Sequence, residues 1–245
     1  MVAPTGGTKL DYRENIDYWS NEYYAPNVEN FIFRFHGRIL RHDFGIFRGE
    51  GRQVFDFGCG QGGALQYFLR NDFDVYGVDI AKRDIETAKK ANSSLAKDLG
   101  RIAKFEVIDP QPRQSDIYFN EIFGEKPWMD VAISIQTLDF LSDTDCQIVL
   151  RNIHKSMKTG AVIYASFNGT QLYYFQHSVP HEDGLRRVKF SNGRVSYDLL
   201  LNFCESKDEM ISKFSMFKPL YVDYYDSSFR NEGSEFRWTF CGTKE

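Results

Sequence analysis

The chain has 245 residues, 42% of them hydrophobic, with 30 Lys and Arg against 34 Asp and Glu, and it carries a net charge of −4. That is enough apolar material for one sizeable α/β domain, and the mild acidity excludes the broad attraction to nucleic acid that a basic protein has. No apolar run reaches the ~20 residues that a membrane-spanning helix needs, and the first nine residues lack the charged-then-apolar pattern of a secretory leader.

Taken in order, residues 1–10 read as a loose Gly/Thr/Pro-containing tail. Stretches 12–24 and 28–43 read as helices rich in aromatics, among them Tyr18, Trp19, Phe31 and Phe35. A short apolar strand at 54–57 runs into Gly58-Cys59-Gly60-Gln61-Gly62-Gly63, and a helix at 64–70 leaves that turn. Alternating strands follow at 74–80, 104–109 and 129–135, and the stretch 82–99 carries Ile85, Ala88, Leu95 and Leu99 at helical spacing. A helix at 145–157, a turn at Lys158-Thr159-Gly160 and a strand at 161–166 complete the alternation. Strands alternating with helices predict a mostly parallel, doubly wound sheet covered on both faces.

After 167 the pattern changes. Residues 167–194 are polar, with glycines and histidines, and 195–203 reads equally well as strand or helix. Ser206 is placed to cap a helix running to 217, and strands at 218–225 and 236–242 predict a closing antiparallel pair. The expected organisation is one domain over 1–245: helical lid 1–45, core 50–167, insertion 168–205, and C-terminal helix and strand pair 206–245. The four cysteines, Cys59, Cys146, Cys204 and Cys241, are far apart and form no CxxC pair. They predict reduced thiols, a cytoplasmic location and no metal site.

The turn after the first strand is the most informative segment. Glycine has no Cβ and takes positive φ, so a ligand can lie against bare backbone there. The helix that follows offers unpaired N–H groups and a positive dipole end. Gly58, Gly60 and Gly63 match the dinucleotide fingerprint, and Asp79 follows at about the twenty residues expected of its ribose-binding acid. Against a dinucleotide stands Asp56, whose carboxylate at the strand tip would repel a pyrophosphate. S-adenosylmethionine has no phosphate; it brings an ammonium and a sulfonium, which an acid favours. The segment Asp56-Phe57-Gly58-Cys59-Gly60-Gln61-Gly62-Gly63 resembles the first motif of class I S-adenosylmethionine-dependent methyltransferases.

The resemblance covers 50 to 167 well and the flanks loosely. It implies a Rossmann-like α/β fold and S-adenosylmethionine held by Asp56, Gly58, Cys59 and Gly60. It also implies that Asp79 accepts from both ribose hydroxyls, with Ile80 beside the adenine. Asp109 takes the position that reads the adenine amino group, although Asp-Pro is also a common turn starter. Gln136 would face the methionine part, and Leu138, Asp139 and Phe140 would lead toward the acceptor. Met157-Lys158-Thr159-Gly160-Ala161 lacks the proline and second glycine of the family's corresponding turn. The N-terminal helices would form a lid, with Tyr18 or Trp19 over the sulfonium and Arg34 paired to the cofactor carboxylate. Helix packing and a solvated basic face are the alternatives for these residues.

The acceptor side is less legible. Sites of open α/β sheets lie at the carboxyl ends of strands, which leaves Asp139, Asp143, His177, His181 and Glu182 as candidates for a general base. His177 and His181 also have the spacing of a metal pair, but Pro180 interrupts a helix there and no third ligand is evident. No Asn-Pro-Pro-Tyr-type motif follows the fourth strand. The expected reaction is O-methylation of a sugar, glycan end or other hydroxylated metabolite. N-methylation of an amino sugar or small amine, a nicotinamide-dependent oxidoreductase, and a cofactor-binding protein without turnover are the alternatives. Oligomeric state is not encoded in any recognisable feature.

Overall fold

A computed structural model describes residues 30–113, 118–124, 126–191, 196–228 and 233–245. Seven strands form the main sheet: β1 Gln53–Phe57, β2 Asp74–Asp79, β3 Ala103–Val107, β4 Met129–Ser134, β5 Met157–Asn168, β9 Lys218–Tyr225 and β10 Arg237–Thr243. Their order across the sheet is β3-β2-β1-β4-β5-β10-β9. The first five are parallel, and β10 runs antiparallel between β5 and β9. The order reverses between β1 and β4, and such a switch point opens a crevice at the strands' carboxyl ends.

Alternation along β1 shows why both faces are covered. Val54 joins one core with Leu65, Phe68, Val75 and Ile85, whereas Phe55 and Phe57 join the other with Phe119, Trp128, Met129 and Leu150. The first core is closed by α1 Asn30–Arg34, α2 Gly63–Arg70 and α3 Lys82–Leu99. The second is closed by α4 Tyr118–Phe123, α5 Asp143–Ser156 and α6 Lys207–Lys213. Each fully buried Phe or Leu contributes roughly 1.5–3 kcal/mol, so a polar residue at these positions would break the sandwich.

Local signals explain the ends of several elements. Ser142 Oγ accepts from Asp145 N at 3.1 Å to start α5, and Asp143 and Asp145 lie in its positive first turn. Ser206 Oγ accepts from Glu209 N at 3.2 Å to start α6, which ends at Lys213 and not at the expected 217. Gly100, at φ +64°, closes α3 in the left-handed conformation that glycine tolerates.

One expectation, the turn at 158–160, needs correction, and two others become more specific. Within the described part of the expected 28–43 helix, Asn30–Arg34 is α-helical and Phe35–Asp43 is a π-helix. The expected turn at Lys158-Thr159-Gly160 is part of β5, which begins at Met157 opposite Met129. The pairing is possible because the β4–β5 register shifts between Met129 and Val131, and Lys158 Nζ bonds Asp130 Oδ2 at 2.8 Å across the two strands. The undecided 195–203 stretch contains strand β8 Ser196–Asn202, which joins β6 Ser178–Pro180 and β7 Leu185–Ser191 in a small antiparallel sheet. This sheet packs Leu172, Val188, Leu199 and Phe203 against Phe140 and Phe175 beside the carboxyl ends of β4 and β5.

Candidate active site

The glycine turn is stitched to the end of β2. Gly58 N and Cys59 N both donate to Val78 O, at 2.8 and 3.0 Å. Gly58, Gly60 and Gly62 have φ of +80°, +48° and +76°, left-handed values that suit glycine. At Gly77 on β2, a Cβ would lie 2.7 Å from Cys59 Sγ, so the absence of a side chain there lets the turn seat closely.

Asp79 organises this turn from the tip of β2. Its Oδ2 accepts from Gly60 N and its Oδ1 from Ala81 N, both at 2.9 Å. Each oxygen of an ionised carboxylate has two lone-pair directions, so the pair retains capacity for two further donors, which suits a ribose diol. Burial raises the Asp79 carboxyl above its ordinary value, while the Ala81 and Gly60 bonds oppose that rise and Asp84 adds to it.

Asp56 is only 4% exposed. Burial, and then the charge of Asp79, push its carboxyl well above the ordinary range. Asp84, bonded by Gln61 Nε2 at 3.1 Å, adds a third acid near the turn. A concentration of carboxylates is hostile to a pyrophosphate and favourable to an ammonium. Burial also raises the Cys59 thiol well above its ordinary value, with Asp79 and Asp56 contributing, so this sulfur is a neutral packing group and not a nucleophile.

The opposite wall comes from β4. Ser134 Oγ, fully buried, donates to Phe57 O at 3.0 Å and ties the β4 tip to the β1 tip. Gln136 follows with φ +54°, an uncommon conformation for a residue with a side chain. It is held there by Gln136 N to Ser166 Oγ at 2.8 Å and Gln136 Nε2 to Tyr225 Oη at 3.2 Å. Thr137 then lies directly against Gly58. Phe31 of α1 stacks on Tyr225 with ring centroids 5.1 Å apart, which links the N-terminal helix to the Gln136 wall.

Asp56, Gly58, Cys59, Gly60, Asp79 and Gln136 are thus brought together at the carboxyl ends of β1, β2 and β4. Ile80 is partly buried against the neighbouring core. Asp109 is exposed, and its Oδ1 accepts from Gln111 N at 2.8 Å, the turn-starting bond that Asp-Pro predicted. Arg34 is exposed at the end of α1, and Trp19 lies outside the described residues. Asp139 is in a 3-10 turn, Leu138–Phe140, and is 1% exposed. His177 ends a second 3-10 turn with its ring 4.7 Å from that of Tyr173. His181 is exposed and borders a different cavity of about 340 Å³, with Phe175, Phe203, Glu205 and Glu209.

Sequence reading missed Arg237 and Tyr225. Arg237 is 12% exposed in its side chain and reaches both Asp139 and Asn168. The available signal was a lone Arg entering the otherwise uncharged strand Arg237-Trp238-Thr239-Phe240-Cys241.

A family model described as "Methyltransferase domain" matches residues 55–163. A comparison of the sequence with curated proteins finds no significant match. The fold is similar to that of an S-adenosylmethionine-dependent methyltransferase from Methanosarcina mazei, with 16% identity, 83% of this chain and 97% of that chain covered, and a TM-score of 0.64. It is also similar to magnesium protoporphyrin IX methyltransferase from Synechocystis with bound S-adenosylhomocysteine, with 14% identity, 96% and 100% covered, and a TM-score of 0.59. A third similar structure is an S-adenosylmethionine-dependent methyltransferase from Clostridium acetobutylicum, with 10% identity, 89% and 93% covered, and a TM-score of 0.61. The buried Asp56, the doubly anchored Asp79 and the bare glycine turn fit that cofactor's ammonium, ribose and methionine chain. A methyltransferase domain model thus matches the central part of the chain, residues 55–163, and the fold around it is similar to that of S-adenosylmethionine-dependent methyltransferases.

Proposed function

We propose that the enzyme methylates a hydroxyl of a small polar acceptor, a sugar, glycan end or related hydroxylated metabolite, with Asp139 as general base. The observation that carries this reading is a buried carboxylate three residues past Gln136, at the carboxyl end of β4, next to an arginine. Methyl transfer is an in-line displacement, and holding the nucleophile close and aligned supplies most of the acceleration. The acceptor oxygen bonds to the methyl carbon as the carbon–sulfur bond breaks. Its electron pair returns to sulfur, leaving neutral S-adenosylhomocysteine, and the hydroxyl proton passes to Asp139. A hydroxyl is a poor nucleophile until that proton is accepted, so a base is worth roughly 10²–10⁴-fold.

Within the cofactor site, Asp56 would meet the ammonium, Asp79 the ribose, and the Gln136 wall the methionine chain. Ile80 and Asp109 would flank the adenine, while Arg34 and Trp19 belong to the expected lid. His177, half-buried beside Tyr173, is the second choice of base, ahead of the exposed His181. No described helix is long and apolar enough to cross a membrane. All four cysteines are free thiols, which supports a cytoplasmic setting.

A paired acceptor screen tests the proposal. Radiolabelled methyl transfer is measured onto methyl glycosides and onto the matching 2-amino sugars, with the wild type and Asp139→Asn. Label in glycosides, lost by at least about a hundredfold in the variant, is the expected result. Label confined to the amino sugars, and unchanged in Asp139→Asn, would replace this reading with N-methylation.

A further inference from the structure

Beside Asp139, the sheet holds a buried polar pair, Arg237 and Asn168, to which the reading above gives no role. Arg237 opens β10 directly opposite Asn168, the last residue of β5. Its Nη1 donates to Asn168 Oδ1 and lies 3.4 Å from Asp139 Oδ2, and its Nη2 lies 3.5 Å from Glu235 Oε2. Asp139 and Asn168 are each 1% exposed. Asp139 Oδ1 and Arg237 Nε are both buried, and neither has a hydrogen-bond partner among the described residues.

Such an arrangement is costly as mere architecture. Replacing a buried ion pair with apolar residues of similar volume is often neutral or stabilising. Stability alone therefore gives no reason for a buried Asp–Arg–Asn group with two orphaned atoms. Geometry gives a better one. A guanidinium is a rigid planar fork, so it fixes the direction of the carboxylate it holds, which a lysine ammonium does not. Asn168 anchors the fork from β5.

We infer that Arg237 is a positioning residue of the acceptor site: its guanidinium, anchored by Asn168, engages one oxygen of Asp139 and leaves the other to take the acceptor's proton. This inference rests on the assignment of Asp139 as the base. The charges that bear on Asp139 support it. Burial raises the Asp139 carboxyl, and Arg237 is the largest influence opposing that rise. Glu235 lies on the far side of the guanidinium, and the buried Cys146 thiol of α5 is held neutral with its own value raised to about 12. Without Arg237 the largest influence opposing burial is gone, so the carboxyl would hold its proton to higher pH.

The test needs no knowledge of the acceptor. S-adenosylhomocysteine is titrated against sinefungin, whose amine takes the place of the transferred methyl, over pH 6 to 9, by calorimetry. An ionised carboxylate facing that amine gives the wild type a preference for sinefungin of roughly ten- to a hundredfold, the equivalent of one charge-assisted hydrogen bond. Asp139→Asn abolishes the preference. Arg237→Met weakens it and moves its onset to higher pH than in the wild type, while affinity for S-adenosylhomocysteine is unchanged. Arg237→Lys, which keeps the charge but not the fork, shows an intermediate preference, and it carries the test if the Met variant does not fold.

Two results would overturn the inference in distinguishable ways. Full wild-type preference in both Arg237 variants at every pH, with the preference lost in Asp139→Asn, removes Arg237 from the mechanism and leaves the base in place. No preference in the wild type, and no change in Asp139→Asn, removes the base assignment and the inference with it.

Discussion

Gly58→Ala is the sharpest perturbation of the cofactor turn. An alanine Cβ there would lie 2.2 Å from both Cγ2 and Oγ1 of Thr137 and 2.6 Å from its Cβ. Thr137 cannot swing clear, because a β-branched side chain is stiff at χ1, its Oγ1 bonds Ile135 O at 3.1 Å, and its own Cβ is part of the overlap. The left-handed backbone at φ +80° adds about 1–2 kcal/mol for a residue with a side chain. Overpacking adds about 1–3 kcal/mol, so the total is roughly 2–5 kcal/mol. The protein either loses this as stability or relieves it by moving the turn, which carries Gly60 N away from Asp79. Calorimetric titration with S-adenosylhomocysteine, paired with denaturant unfolding, reads both routes. The double variant Gly58→Ala/Thr137→Ala removes the two closest overlaps but not the backbone cost, so it recovers only part of the loss. Unchanged affinity together with an unchanged unfolding midpoint in Gly58→Ala would refute the assignment of this turn as a rigid cofactor cradle.

Three further outcomes are expected. Asp79→Ala weakens S-adenosylhomocysteine binding by about 1.5–3 kcal/mol, the value of a charge-assisted hydrogen bond; unchanged affinity in a folded variant would remove the ribose role. Asp56→Asn moves stability and binding in opposite directions. The Asp56 carboxyl is raised well above its usual 3.8 by burial and by Asp79. The native state therefore resists ionisation, and stability present at low pH is lost as the pH climbs through the raised value. The variant should gain on the wild type at pH 7 but not at pH 4, while binding S-adenosylhomocysteine less tightly; equal unfolding midpoints at both pH values would count against the buried charge. His36 has the reverse sign. It is fully buried with Nδ1 2.9 Å from Tyr67 Oη, and its value is lowered from 6.5 to about 4 by burial first and then by Arg41. It contributes stability above pH 6.5 that falls by up to about 3 kcal/mol as the pH drops to 4. His36→Phe should flatten that slope in urea titrations, and an unaltered slope would mean the acid sensitivity lies elsewhere.

The elements of the core were legible because period and punctuation agreed. The stretch 54–57 ends in glycines, 82–99 keeps helical spacing until Gly100, and both readings match β1 and α3 closely. The reading failed where tertiary pairing overrode local chemistry. Lys158-Thr159-Gly160 has the composition of a turn, yet a register shift opposite Met129 and Val131 draws it into β5. Residues 195–203 have no decisive period of their own, and their strand conformation is fixed by pairing with β7. The helix read over 28–43 is present, but the π geometry at Phe35–Asp43, where Phe35 stacks on Tyr164 at 4.5 Å, has no sequence signal.

The two halves of the site differ in how they are encoded, and that difference has a physical origin. A cofactor has fixed chemistry, so the receptors proposed for it can be groups of short segments: the glycine turn from Gly58 to Gly62, and one acid at the tip of each of two neighbouring strands. A segment of that kind is readable as a contiguous motif. The acceptor must instead be met by side chains that converge from several strand ends, and convergence is a property of the sheet. Asp139 and Arg237 are 98 residues apart in the chain. They meet only because β10 inserts antiparallel beside β5, which puts the first residue of one strand against the last residue of the other. A charged residue that opens a largely apolar strand is ordinarily a solvated end. The antiparallel insertion turns this strand's beginning toward the carboxyl end of β4, so its lone arginine arrives beside the buried carboxylate and not in water.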